Sequence, residues 1–276
     1  MTQDSRGATT DSGTGKLPGF DTSVANAARM WNYWIGGKDN FRVDRDAGDQ
    51  VVEAMPALPI VARMLRRFLV TTVDELTAAG VRQFLDIGTG LPTADNTHDA
   101  AQRAAPESRI VYVDHDPVVI SHARALLTSS PEGTTDYIQA DLRDWATISA
   151  GARRTLDFSQ PVAVLMIAVL HFILDSEDPH RIVSEMVADL APGSYLVIAH
   201  AASDIEAATA QGMARSYNAT SSLTITPRDR AAVTQFFDGL ELTGRGLMQL
   251  DQWWGPSDDA SARSDLICYC GIAVKR

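Results

Sequence analysis

Lysine is almost missing from this 276-residue chain: Lys16, Lys38 and Lys275 are the only three among 24 basic residues, set against 35 acidic ones. The resulting net charge of −11 argues against nucleic acid as a main partner, because a phosphate backbone calls for a basic surface. Cysteine is equally scarce. Cys268 and Cys270 are the whole supply, spaced to share one face of a strand. Without a second pair no zinc or other metal site is expected, and both read as buried free thiols. No run approaches ~18 consecutive apolar residues, and the polar N-terminus has no apolar signal core, so neither spanning nor export is expected. The expectation is a cytoplasmic protein, in which the sequon Asn218-Ala219-Thr220 is a chance match. With 45% hydrophobic and 21% charged residues, the composition is that of a soluble globular protein: one large domain, or a domain with an appendage.

The chain is organised around Phe84-Leu85-Asp86-Ile87-Gly88-Thr89-Gly90-Leu91-Pro92. Gln83 to Ile87 reads as a buried strand ending in glycines, where backbone can approach a ligand closely. Asp86 stands at its carboxyl end, the side on which open α/β sheets bind ligands. The dinucleotide fingerprint wants a glycine or alanine three residues after its second glycine, and Thr93 holds that place, which disfavours a nicotinamide-dependent oxidoreductase. That fingerprint also favours anions, whereas Asp-x-Gly-x-Gly suits a cationic ligand such as the amino group and sulfonium of S-adenosylmethionine.

Residues 1–19 are Thr, Ser, Gly and Asp without apolar periodicity and read as a disordered tail. Residues 20–80 read as an N-terminal helical cap. In it Val24, Ala28, Trp31 and Ile35 form one stripe, stopped by Gly36-Gly37, and a long helix runs from about Leu58 to Ala79. Residues 81–276 alternate strands with helical patterns, the signature of a parallel sheet. Its strands are expected at Gln83–Ile87, Arg109–Val113, Tyr137–Gln139, Pro161–Ile167 and Tyr195–Ala199, then about Leu240 to Met248 and Leu266 to Val274. Asp114 lies 28 residues after Asp86, where a carboxylate can accept from a ribose diol.

In order and spacing these features resemble the Rossmann-like class I methyltransferases: a mostly parallel α/β sheet of seven strands with a C-terminal antiparallel hairpin. The stretch Ala28 to Phe41, with Trp31-Asn32-Tyr33-Trp34-Ile35-Gly36-Gly37-Lys38-Asp39-Asn40-Phe41, together with Phe84 to Thr93, resembles the bacterial S-adenosyl methyltransferase family, formerly a domain of unknown function. Val111 to Pro117 and Ala168 to Phe172 are similar to that family too. The resemblance implies S-adenosyl-L-methionine as cofactor. It implies that Asp86, Gly88 and Gly90 surround the methionine part and that Asp114, with His115 beside it, holds the ribose. Asp141 and Leu142 would flank the adenine, and Ala168 would complete the shell. Pro92 replaces the frequent third glycine of the wider superfamily, which alters the loop because proline donates no N–H.

Methyl transfer needs alignment above all, since the sulfonium is already an activated electrophile. A general base is needed when the acceptor must lose a proton, and His171, after strand four, is the first candidate; His200 is the second. Tyr33 and Gly37 admit two readings, closure over the cofactor or packing of the cap. Trp253-Trp254 either lines an acceptor pocket or packs on the sheet edge. The function expected is methyl transfer to a small molecule; a non-catalytic cofactor-binding regulator is the alternative.

Overall fold

A computed structural model describes residues 21–254 and 266–276. The expected tail at 1–19 and the Gly255-Pro256 part of the tryptophan loop lie outside these residues. Three helices lead the chain: α1 (Ala27–Trp34), α2 (Arg42–Ala54) and α3 (Leu58–Ala78). Then strands and helices alternate: β1 (Gln83–Ile87), α4 (Thr97–Ala104), β2 (Arg109–Asp114), α5 (Pro117–Leu126), β3 (Thr134–Gln139), α6 (Trp145–Ala152), β4 (Ala163–Ile167), α7 (Pro179–Ala188) and β5 (Tyr195–Ala201). The chain closes with α8 (Ala207–Thr220), α9 (Arg230–Gln235), β6 (Glu241–Leu242), β7 (Met248–Gln249) and β8 (Cys268–Val274).

The sheet runs in the order β3-β2-β1-β4-β5-β8-β6, with β7 also on β8. β1 to β5 are mutually parallel, and β8 is antiparallel to β5 and to both short segments. The order reverses between β1 and β4, which opens the crevice at the carboxyl ends where such sheets take ligands. Every residue of β1 and β8 is buried, as expected of strands covered on both faces. The penultimate strand, expected as one run to Met248, is instead split into β6 and β7. Thr243 N–H still donates to Ile272 O, but Gly246 takes a left-handed φ of +68° and carries the chain out of the ladder.

The cap helices are fastened by a buried ion pair. Arg29 Nε meets Asp44 Oδ2 at 2.7 Å, and Asp44 also accepts from the Asn26 and Phe41 backbone N–H groups. Gly48 lets Tyr33 and Trp34 of α1 rest on α2, since a Cβ there would stand 2.9 Å from the Tyr33 ring. No helix among the described residues is long and apolar enough to cross a membrane.

Candidate active site

The glycine loop after β1 is shaped by its neighbours. Gly88 has a φ of +76°, and a Cβ on it would come within 2.4 Å of the Val169 side chain, so β1 and β4 interlock there. Gly90 (φ +67°) has open space where a side chain would be. Asp86 is buried and accepts from Thr97 Oγ1 at 2.6 Å. Its burial pushes the carboxyl up to about 6, against the opposing pull of the Thr97 hydrogen bond and Arg66. At the end of β2, Asp114 takes Gly90 N–H on Oδ2 and Asp116 N–H on Oδ1, both at 3.0 Å. A carboxylate offers about four acceptor positions, so with Asp116 N–H and the neighbouring His115 imidazole on Oδ1, Oδ2 keeps capacity for one more donor. His115 Nδ1 lies 3.4 Å from Asp114, whose hydrogen bond raises the imidazole above its usual range. After β3, Asp141 is held by Arg143, whose Nη1 reaches both carboxylate oxygens at 2.9 and 3.0 Å.

The exit of β4 is the most constrained backbone of the site. Ala168 adopts a φ of +58°, a conformation that costs a residue with a Cβ about 1–2 kcal/mol. It turns the chain so that His171 and Phe172 face the cleft. Arg228, itself buried, clamps this turn: Nη1 donates to Leu170 O, and Nη2 donates to Ile173 O and to Asp175 Oδ1. The same guanidinium donates to His200 Nε2 at 3.0 Å, so His200 carries its proton on Nδ1, which donates to Ala201 O. His200 is therefore neutral and engaged on both nitrogens, and burial holds it well below its ordinary range. His171 is pushed down to about 3 by burial and by Arg228, and its Nδ1 has no hydrogen-bond partner among the described residues.

Asp86, Gly88, Gly90, Asp114, His115, Asp141, Leu142, Ala168 and His171 all line one cavity of about 250 Å³, roofed by α1, α3 and α8. Two expected residues stand elsewhere. Tyr33 is not in the wall and donates to Asp49 at 2.7 Å. Gly37 packs on the Asn32 amide, whose Oδ1 accepts from Asp39 N–H and Asn40 Nδ2, so the Gly-Gly turn is tightly fastened. Trp253 is buried edge-on against Phe68, and Arg67 covers Trp254, so this pair packs the sheet edge and stays out of the cavity.

The sequence reading missed Asn26 and Arg66. Asn26 caps α1 and donates to Asp116 at 2.8 Å, tying the roof to the end of β2. Arg66 lies in the wall near Asp86; its Nη2 donates to Asp95 O, while its buried Nε has no partner among the described residues. A signal for it existed: Arg66 interrupts the apolar stripe of α3 formed by Ala62, Leu65 and Leu69.

Residues 14–276 match a family model described as S-adenosyl methyltransferase. A DUF574 family protein from Streptomyces avermitilis is 41% identical, with a TM-score of 0.87 over 93% of this chain and 99% of that one. A protein from Thermobifida fusca, solved as a candidate methyltransferase, is 34% identical, with a TM-score of 0.85 over 95% and 99% of the two chains. The magnesium protoporphyrin IX methyltransferase of Synechocystis, solved with bound S-adenosylmethionine, is 12% identical at a TM-score of 0.51, covering 90% of each chain, a likeness of fold alone. No curated protein matches the chain.

Proposed function

We propose, from the premise that this chain belongs to the S-adenosyl methyltransferase family, that it methylates a small molecule within the cavity beneath α1 and α8. The protein is an S-adenosylmethionine-dependent methyltransferase with a class I fold. The observation that carries the assignment of residues is the pairing of buried Asp86 with the unpartnered Nε of Arg66 beside the glycine loop. A zwitterionic amino-acid group fits both, its ammonium toward Asp86 and its carboxylate toward Arg66. The remaining acceptor position on Asp114 Oδ2 suits a ribose hydroxyl, which His115 stands beside, and Asp141 with Leu142 suits the edge and face of a purine. Gly90 leaves its side-chain position free for the ligand.

The bound cofactor supplies an electrophilic methyl group. This chain's own residues hold the donor, exclude water and orient the acceptor, and alignment alone can contribute up to about 7–11 kcal/mol. His171, neutral at physiological pH, is the group placed to receive an acceptor's proton. A cavity roofed by helices offers no open groove for a polymer, and the charge of −11 opposes nucleic acid. Two free, buried cysteines suit a reducing compartment and support a cytoplasmic setting. Calorimetry with S-adenosylmethionine, followed by transfer of labelled methyl to a metabolite extract, tests the reading. Cofactor binding without any formation of S-adenosylhomocysteine would mark a regulator instead of an enzyme.

A further inference from the structure

The cavity divides by chemistry. Its four carboxylates, Asp86, Asp114, Asp116 and Asp141, all lie at or just after the ends of β1, β2 and β3, in the half assigned above to the cofactor. The other half, between α1, α3, α8 and the exit of β4, contains no carboxylate, lysine or arginine among the described residues apart from Arg66, which stands with Asp86. Its wall is a chain of rings in contact. Trp31 meets Trp34 with centroids 6.1 Å apart, Trp34 meets Tyr217 at 6.4 Å, Tyr217 meets Phe172 at 6.1 Å, and Phe172 meets His171 at 4.5 Å. Rings this close touch one another and leave no slot for a cation between them, so this is a wall and not a cage. Met213, Leu223 and Ile225 add apolar surface. Among the described residues the titratable side chains in this half are the buried thiol of Cys268, the Tyr217 hydroxyl and the imidazole of His171. Burial keeps that imidazole neutral and pushes the Tyr217 hydroxyl up to about 12, so neither offers a charge to an ionic acceptor.

We infer that the methyl acceptor is an uncharged, largely apolar molecule carrying a hydroxyl, which lies along the Trp31–Trp34–Tyr217–Phe172 wall with its oxygen at His171. This rests on the methyltransferase reading above and narrows it to a substrate class. A charged amine or carboxylate would be desolvated there without a counter-charge, a cost of several kcal/mol. In the transfer step the hydroxyl oxygen's lone pair forms a bond to the methyl carbon. The carbon–sulfur bond breaks with its electron pair going to sulfur, and the hydroxyl proton passes to the imidazole of His171. The sulfonium charge vanishes as the imidazolium charge appears, so the net charge of the cavity does not change. That conservation lets a histidine strongly disfavoured as a cation by burial accept a proton at this one moment.

The test uses the full chain saturated with S-adenosylhomocysteine at pH 7 and three molecules of one shape: 2-naphthol, the cation of 2-naphthylmethylamine, and the anion of 2-naphthoic acid. Calorimetry should show 2-naphthol binding at least about 10-fold more tightly than either ion, a difference of ~1.4 kcal/mol. Trp31→Ala, a half-buried position, should weaken 2-naphthol by about 5-fold or more and leave S-adenosylhomocysteine unchanged. Equal or tighter binding of the cation or the anion overturns the inference, and so does an absence of 2-naphthol binding to protein that binds S-adenosylhomocysteine. A protein that fails to bind S-adenosylhomocysteine overturns the cofactor assignment beneath it, and the two failures are separated in a single titration series.

Discussion

Asp86 carries opposed demands on stability and on binding. Its carboxyl is raised to about 6 in the fold and has an ordinary value near 3.8, so the folded state binds the proton more tightly than the unfolded chain. Stability therefore falls as pH rises from about 4 to about 6, and above that the ionised group is a standing cost. Asp86→Asn keeps an acceptor for Thr97 and removes that cost. We expect the variant, without ligand, to gain about 1–3 kcal/mol at pH 7–8 and nothing below pH 4, read by urea denaturation across pH. Cofactor affinity should move the other way. In the native protein it should weaken below about pH 6, with proton release on binding, and in the variant it should be low and flat. Asp114→Ala should weaken cofactor binding by ~1.5–3 kcal/mol, the range for hydrogen bonds to a charged group. Unchanged calorimetric affinity in the folded variant would remove Asp114 from the ribose role. For His171 the value of about 3 means no ascending limb in the rate profile near neutrality, because the imidazole is already unprotonated. His171→Ala should lower kcat by about 10²-fold or more with a hydroxyl acceptor while cofactor affinity stays within error. Near-native kcat in that variant would leave alignment as the source of catalysis.

Among the elements, those with a clean period were legible and those built on small or charged contacts were not. β1, β4, β5, β8 and α3 carry continuous apolar runs or stripes, and their positions follow from the residues to within a few positions. Helix α2 was invisible: its buried face is Asp44, Ala47, Gly48 and Val51, which pairs a charge with Arg29 and presents a glycine to two rings, so hydrophobic periodicity finds nothing. α8 shows a weak pattern for a related reason, burying Ala210, Met213 and Tyr217 in a run otherwise small and polar. The turn after β4 was legible as a location, while the residue that holds it lies more than 50 positions away. Arg228 holds two backbone carbonyls, Asp175 and His200 at once, so Arg228→Ala should cost about 3 kcal/mol or more in chemical denaturation by stranding buried acceptors. Arg228→Lys, which keeps the charge but loses the fork, should fold, bind cofactor and lose turnover. Native kcat in Arg228→Lys would detach the clamp from catalysis.

At the scale of the molecule, the strand acids and glycines of the site were readable because each sits at a strand end, and strand ends are where a parallel sheet exposes backbone. The roof was not readable in the same way, since its contributions come from α1, α3 and α8 and depend on packing across some 190 residues of chain. That arrangement decides how the cap responds to ligand. A glycine pair beside charged residues suggests a hinge, yet Gly37 is wedged on Asn32, Tyr33 is tied to Asp49, and α1 is held to α2 by the buried Arg29–Asp44 pair. Asn26 adds a bond from the start of α1 to Asp116 at the head of α5. A roof anchored at both ends is a fixed wall, and cofactor should stabilise the molecule as a whole instead of ordering a lid. At a free concentration 100 times its Kd the cofactor should add ~2.7 kcal/mol, which for a chain of this size raises Tm by roughly 5–10 °C. Limited proteolysis distinguishes the two behaviours. If the cap is fixed, cleavage between Val24 and Phe41 slows on cofactor addition by the same factor as cleavage at a remote turn such as Pro192–Gly193. Protection confined to Val24–Phe41, with the remote turn unaffected, would show that this segment opens on its own and that its fastenings are released in solution.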